Sequence, residues 1–344
     1  MQAVLLDSPH RASVQQVPDP EVRAGDVVVR VERCGLCGTD QHLFDGDYAL
    51  TRYPVIPGHE LSGIVEEVGA GVSSIRPGQL VVIEPNIHCE RCHFCHVQRG
   101  NHCLNLEVIG VNRAGGFAQY VAAPERNVYP VDGLTAEQAA FVEPLSCVVH
   151  GLRRLRLAPA ARVLIVGAGP IGLLMLQAVR RSGAAQAVVT DLRASRLQLA
   201  RLLGAEQTVE ADADAPQRLR DLAPYGFDAA IDVTGVPSVV QSLLPSVTDG
   251  GSLLIFGVSP EQATISVRPY ELFRRDLTIL GSFAVAYTFE DAITMLQSGA
   301  VQVDRLVSHR LPLSGYEAGL AAARAGEGSM KVQLLPDTSA ISSQ

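Results

Sequence analysis

Cys89, Cys92, Cys95 and Cys103 stand in one stretch, "HCERCHFCHVQRGNHC", with gaps of two, two and seven residues. That spacing lets four thiolates converge on one tetrahedral Zn²⁺ without a long loop. A chain carrying it is expected to fold a lobe, at about residues 86–105, around sulfur rather than around an apolar core. Disulfides are the weaker reading, because cysteines so close in a turn rarely meet the narrow geometry of an S–S bridge. Iron–sulfur ligation is a further reading of four thiolates, and the spacing alone is compatible with it.

At 344 residues the chain exceeds one ordinary core, so two domains are expected. With 47% hydrophobic and 19% charged residues it reads as globular, not disordered. The net charge of −8 argues against a nucleic-acid partner. Arginine supplies the positive charge; Lys331 is the only lysine, and no function follows from that. The start, "MQAVLLDSPHR", has an acid inside its short apolar run and no cleavage-like segment. The longest apolar run, Val163 to Val179, is short for a membrane span and carries three glycines and a proline. A strand, a tight turn and a helix explain it better. The expectation is a cytoplasmic protein without membrane contact. Seven cysteines in a reducing compartment point to metal or catalysis before disulfides. Cys34 and Cys147 fall outside any constellation and read as core thiols.

The first half reads as short strands bounded by turns: "DVVVRVER", "LSGIVEEVG" and "QLVVIEP". Helical pattern follows around Thr135–Val142, where Thr135 and Gln138 suit a capping box, and around Ser146–Leu155. From Arg162 the rhythm changes. "RVLIV", "QAVVTD", "FDAAIDVTG", "GSLLIFG" and "DLTILGS" read as strands, the first two each followed by a helix closed by glycine, Gly183 and Gly204. Such alternation implies a parallel sheet with right-handed crossovers. "YTFEDAITMLQSG" and "YEAGLAAARAG" read as helices, "MKVQLLP" as a last strand, and the tail "DTSAISSQ" as loose.

Gly167, Gly169 and Gly172 form G-A-G-P-I-G directly after "RVLIV". The first glycine permits the tight turn, the second lets backbone approach a pyrophosphate, and the third lets helix and strand pack closely. The helix start then meets the phosphates with its partial positive charge. Asp191 ends the next strand, where a carboxylate accepts bonds from the ribose hydroxyls. An anion there repels a 2′-phosphate, which favours NAD over NADP. Arg193 and Arg196 work against that, since nearby arginines can accept the phosphate.

Two further pieces lie in the strand-rich half: "CGLCGTDQH", with Cys37, Thr39, Asp40 and His42, and "PGHELSGIVEEVG", with His59 and Glu60. A thiolate, an imidazole and carboxylates can hold Zn²⁺ and leave a position open. Together with the cysteine lobe, "VEPLS" and G-A-G-P-I-G, these motifs resemble the zinc-containing medium-chain dehydrogenases, nearest the sorbitol and threonine dehydrogenase branch. The likeness runs through essentially the whole chain, in order.

The resemblance implies an α/β protein: a GroES-like, strand-rich catalytic domain at 1–152 and 285–344, interrupted by a Rossmann domain at 153–284. It implies two zincs per chain. Cys37 and His59 would hold the catalytic one, with Glu60 a ligand or just behind one, and Glu143 a ligand directly or through water. Thr39 would take the alcohol proton and pass it through the nicotinamide ribose to His42. Cofactor contacts would fall at Gly167, Gly169, Pro170, Ile171, Gly172, Asp191, Arg196, Thr234, Gly257, Val258 and Phe283. The implied activity is reversible NAD-dependent oxidation of a secondary alcohol, a polyol or sugar alcohol, with Zn²⁺ as Lewis acid. Threonine or a simple alcohol is the alternative substrate, and a non-catalytic redox sensor a distant one. A homo-oligomer, dimer or tetramer, is expected. One departure stands out. Sorbitol dehydrogenases follow "GSF" with an Arg-Tyr pair that contacts polyol hydroxyls, whereas this chain has Ala284 and Val285. Arg113 and Tyr53 are candidate replacements.

Overall fold

The computed structural model describes residues 1–336. The tail "DTSAISSQ" lies outside the described residues. The chain divides into two compact units. The first comprises Met1–Ser146, Val285–Gly299 and the segment from Val303 onward; the second comprises Cys147–Ala284 and Ala300–Gln302. The first boundary falls inside the helix Val142–Leu155 rather than at its end. Ala300–Gln302 joins the second unit through Gln177, whose side chain accepts from the N–H of Gln302 at 2.8 Å and donates to its carbonyl at 3.1 Å.

The first unit is built on a seven-stranded sheet. Its spine is Asp26–Gly35, which pairs antiparallel with Glu60–Val68 on one side. On the other side it pairs with Tyr120–Pro124 near its start and with Lys331–Leu335 at its end. Leu80–Ile83 and Val128–Pro130 extend the sheet beyond Glu60–Val68, and Val307–Pro312 lies parallel to Lys331–Leu335. Val27, Val29, Val31, Leu61, Val65, Val81, Ile83, Phe117 and Leu334 fill its core. Cys34, fully buried in that core, is a packed thiol as its surroundings in sequence suggest; Cys147 is half-buried. The capping box at Thr135 and Gln138 forms, on the short helix Ala136–Ala139.

The second unit holds six strands, all parallel. Their order across the sheet is Gln207–Glu210, Gln186–Asp191, Arg162–Val166, Phe227–Asp232, Val247–Ile255, Thr278–Gly281. The chain starts in the middle and winds outward in both directions, which opens a crevice at the carboxyl ends of Arg162–Val166 and Phe227–Asp232. The inner strands Arg162–Val166, Gln186–Asp191 and Phe227–Asp232 are largely buried and apolar, as strands covered on both faces require.

Candidate functional site

Cys37 is the N-cap of the helix Gly38–Asp45. Asp40, at the third helical position, closes a capping box by accepting the Cys37 N–H on Oδ2 at 2.9 Å. Its other oxygen, Oδ1, faces Nδ1 of His59 at 3.8 Å. Neither of those two buried atoms has a hydrogen-bond partner. Thr39 Oγ1 lies 3.9 Å from Cys37 Sγ. The sulfur of Cys37, a ring nitrogen of His59 and a carboxylate oxygen of Glu60 all lie within 4.8 Å of one another.

The field at this site favours positive charge. Burial lifts the Asp40 carboxyl to about 6, although His59 opposes the rise. Burial alone would pull His59 down, yet Asp40, Cys37 and Glu143 outweigh it and hold the imidazole well above its usual value. A buried histidine that draws in a proton marks a pocket with surplus anions. A dication fits such a donor set, and the carboxylate behind Nδ1 is the usual orienting partner of a zinc-bound histidine.

Glu60 is not free to swing. Lys331 Nζ donates to both of its oxygens, at 2.7 and 2.6 Å, and to the Leu36 carbonyl at 3.1 Å. Both side chains are almost fully buried. Burial would lower the lysine, but the Glu60 and Cys37 charges more than offset it and its value is raised. A Cβ on Gly35 would sit 2.1 Å from Glu60 Oε2, so this carboxylate needs glycine on the neighbouring strand.

Glu143 lies outside the three-residue set, though its charge acts on His59, Lys331, Tyr48 and Glu84. Glu84 is buried at the end of Leu80–Ile83. Its Oε2 accepts from Tyr129 Oη at 3.2 Å, while Oε1 has no partner. Burial, reinforced by Glu143, raises it to about 7. Burial also raises Tyr48, helped by Cys37 and Glu143, which marks it as a neighbour of the site. Reading the sequence missed Lys331, Glu84 and Tyr48. The signal was there for two of them: a charge embedded in an apolar strand needs a partner when buried.

The four lobe cysteines also lie within 4.8 Å of one another. Cys92 Sγ is 3.5 Å from Cys95 Sγ and 3.9 Å from Cys103 Sγ. Two thiolates on one tetrahedral zinc should sit about 3.8 Å apart, given Zn–S bonds of about 2.3 Å. All four are free thiols. The N–H groups of Cys89 and Asn105 point at Cys103 Sγ, at 3.3 and 3.4 Å. Cys89 is lowered to about 6, first by backbone donation from Arg91 and then by the Asn105 side chain. Cys92 is lowered by backbone donation from Leu104 and Cys95, whereas burial lifts Cys95 to about 12. Donors aimed at sulfur favour the thiolate form, which is the form that ligates a metal.

In the second unit Pro170 opens the helix Pro170–Arg181 at its first position, with Ile171 next. A Cβ on Gly172 would lie 1.8 Å from the Gly167 carbonyl, so helix and strand approach as only glycine allows. Asp191 accepts the Ala168 N–H at 2.7 Å and the Arg193 N–H at 2.9 Å. Arg196 Nη1 is 3.9 Å from Asp191, beside Gly169. Asp232 shapes the next loop by accepting from Thr234 N and Oγ1, at 3.0 and 2.6 Å. Gly167, Asp191, Thr234, Gly257, Val258 and Phe283 each end or closely follow a parallel strand, so the sheet brings them to one edge. That edge can cradle a dinucleotide.

The two candidate replacements, Arg113 and Tyr53, have these surroundings. Arg113 pairs with Glu107 at 3.0 Å and lines a cavity of about 890 Å³ with Arg52, Leu104 and Asn105, not the Cys37 set. Tyr53 donates to the Leu43 carbonyl at 2.5 Å and packs with Leu6, Leu43 and Val55. Val285 is fully buried and apolar, so it offers substrate hydroxyls nothing.

Comparison with known proteins matches this geometry. Residues 23–133 fit the alcohol dehydrogenase GroES-like domain, and residues 170–298 fit the zinc-binding dehydrogenase domain. The chain belongs to the zinc-containing medium-chain alcohol dehydrogenases, in their polyol and threonine branch. It is a zinc-dependent oxidoreductase that oxidises an alcohol with a nicotinamide dinucleotide. It is 35% identical to D-arabinitol dehydrogenase 1 of Uromyces fabae, over 93% of each chain. It is likewise 35% identical to D-altritol 5-dehydrogenase of Agrobacterium fabrum, over 97% of this chain and 99% of the relative. A zinc-binding dehydrogenase of Sinorhizobium meliloti, solved bound to NADP, superposes with a TM-score of 0.92 at 36% identity, covering 97% of this chain and 99% of that one. Among the described residues no helix is long and apolar enough to cross a membrane.

Proposed function

We propose that this protein is a cytoplasmic homo-oligomer, dimer or tetramer, that reversibly oxidises a secondary hydroxyl of a polyol or sugar alcohol to the ketone, preferring NAD. The carrying observation is the donor set Cys37, His59 and Glu60 inside an anion-rich pocket, with Lys331 fully engaged by Glu60. The cation that the fold places at the donor set is thereby spent within the protein. It is not available to a substrate carboxylate, which favours a polyol over threonine.

Cys37 and His59, the latter through Nε2, would hold the zinc, and Glu143 would complete the set, with Lys331 keeping Glu60 behind it. When bound, the ion would supply Lewis acidity toward the alcohol oxygen, and the dinucleotide would accept the hydride. Thr39 receives the proton of the reacting hydroxyl and His42 delivers it to solvent. Asp191 favours NAD by presenting an anion to the adenosine ribose. The test is formation of reduced coenzyme across a panel of pentitols, hexitols, L-threonine and simple alcohols, with NAD and NADP in parallel. Polyols should lead in kcat/KM with NAD; turnover of threonine alone would overturn the substrate class.

A further inference from the structure

The helix Gly38–Asp45 ends in a left-handed cap at Gly46, where φ is 84°. The N–H of Gly46 bonds the His42 carbonyl at 2.9 Å, and the N–H of Asp47 reaches the same oxygen at 3.2 Å. Two backbone bonds to one carbonyl fix the turn, so the Asp47 side chain folds back over His42. Its Oδ1 lies 2.9 Å from His42 Nδ1. An ionised carboxylate only accepts hydrogen bonds. Nδ1 therefore carries the proton, and in the neutral ring Nε2 is left as the acceptor.

We propose that Asp47 is the positioning residue of the proton relay, holding His42 in the tautomer whose Nε2 can take the proton that alcohol oxidation releases. This rests on the roles given above to Thr39 and His42. Oxidation breaks one C–H and one O–H bond. The C–H electron pair leaves as hydride to the coenzyme, and the O–H proton is left for a base. Nε2 of His42 accepts that proton, the ring becomes imidazolium facing the Asp47 carboxylate, and Nε2 then returns the proton to water. Asp47 stays ionised throughout. The two side chains are 39% and 62% exposed, so the pair adds little to folding and acts by orientation. The other nearby acids are engaged elsewhere. Asp45 is held by Arg324 at 2.6 Å and Asp40 faces inward to His59.

The experiment combines ¹⁵N-resolved NMR of the His42 ring in the full chain with kinetics of three variants. His42→Gln identifies the ring signals. In the wild type the neutral ring should carry its proton on Nδ1; Asp47→Ala should move it to Nε2. Asp47→Ala should also lower kcat about tenfold, as orienting partners do, with little change in KM for the coenzyme. Asp47→Glu should recover most of that loss. His42→Gln should lose about 10² in kcat. Wild-type turnover in His42→Gln overturns the relay, and this inference with it. A slow His42→Gln beside an Asp47→Ala that keeps both turnover and tautomer leaves the relay standing and overturns the role of Asp47.

Discussion

The two ligand sets of the first unit are built in opposite ways. The lobe takes four like donors from Cys89–Cys103 and satisfies them locally, with backbone N–H groups from Cys89 and Asn105 aimed at one sulfur. The other set takes one thiolate from a helix cap, and an imidazole and a carboxylate from the start of a strand. It is held by Asp40 from one side and by Lys331 from the other. The lobe's donors converge from one short stretch of chain. The second set depends on the folded sheet. One donor set is thus assembled by sequence spacing, whereas the other is held from outside by buried charge.

The largest effect should come from the lobe. Cys92→Ser removes one of four thiolates, and structural zinc in small peptides is worth roughly 10–16 kcal/mol of apparent binding. The variant should lose one zinc by metal analysis and become protease-sensitive within residues 86–105, while retaining the metal at Cys37. Loss of both metals together would break the contrast between the two sets.

Next comes Lys331→Met, which keeps length and removes the charge. It leaves a buried carboxylate unpaired, a change that costs about 3–5 kcal/mol. Denaturant unfolding of the metal-free protein at neutral pH should show this, and adding Glu60→Gln should recover much of it. An intact lobe zinc in the single variant would sharpen the comparison; a cost under about 1 kcal/mol, the worth of a surface pair, would end it.

Thr39→Val keeps shape and removes the hydroxyl beside Cys37. Turnover should fall by about 10² or more, the scale of a lost proton-transfer group, with both metals and dinucleotide binding retained. Near-native turnover would remove Thr39 from the relay.

A further effect is a pH dependence. Glu84 has its folded value raised from 4.5 to about 7. Between those values the native state holds a proton that the unfolded chain has lost, so stability falls as pH rises through this window. The fall should be of order 3 kcal/mol in the wild type. Glu84→Gln should flatten that part of the profile, measured as the difference in unfolding free energy between the two proteins. Parallel profiles would show that Glu84 is not protonated in the fold.

Much of this was legible in the chain. The strands Arg162–Val166 and Gln186–Asp191, the glycine turn and the capping box at Thr135 are local patterns, and they appear where the pattern put them. Gln207–Glu210 escaped because an edge strand carries too little apolar alternation to be seen. The pairing of Arg113 with Glu107 was not legible, because a guanidinium in a loop says nothing about which acid it will meet. Lys331 was passed over as a matter of composition.

The sequence by itself determined the cysteine lobe, the glycine turn after Arg162–Val166 and the capping box at Thr135, because each depends on residues close together in the chain and on backbone geometry those residues prefer. Only the tertiary structure decided what surrounds the open site. Lys331 meets Glu60 across 271 positions of sequence because Lys331–Leu335 pairs with Asp26–Gly35 through Gln333 with Gly35 and Leu334 with Cys34. Gly35 in turn stands opposite Glu60. That register is set by burial of whole sheet faces, a property of the assembled core that no short window of residues contains.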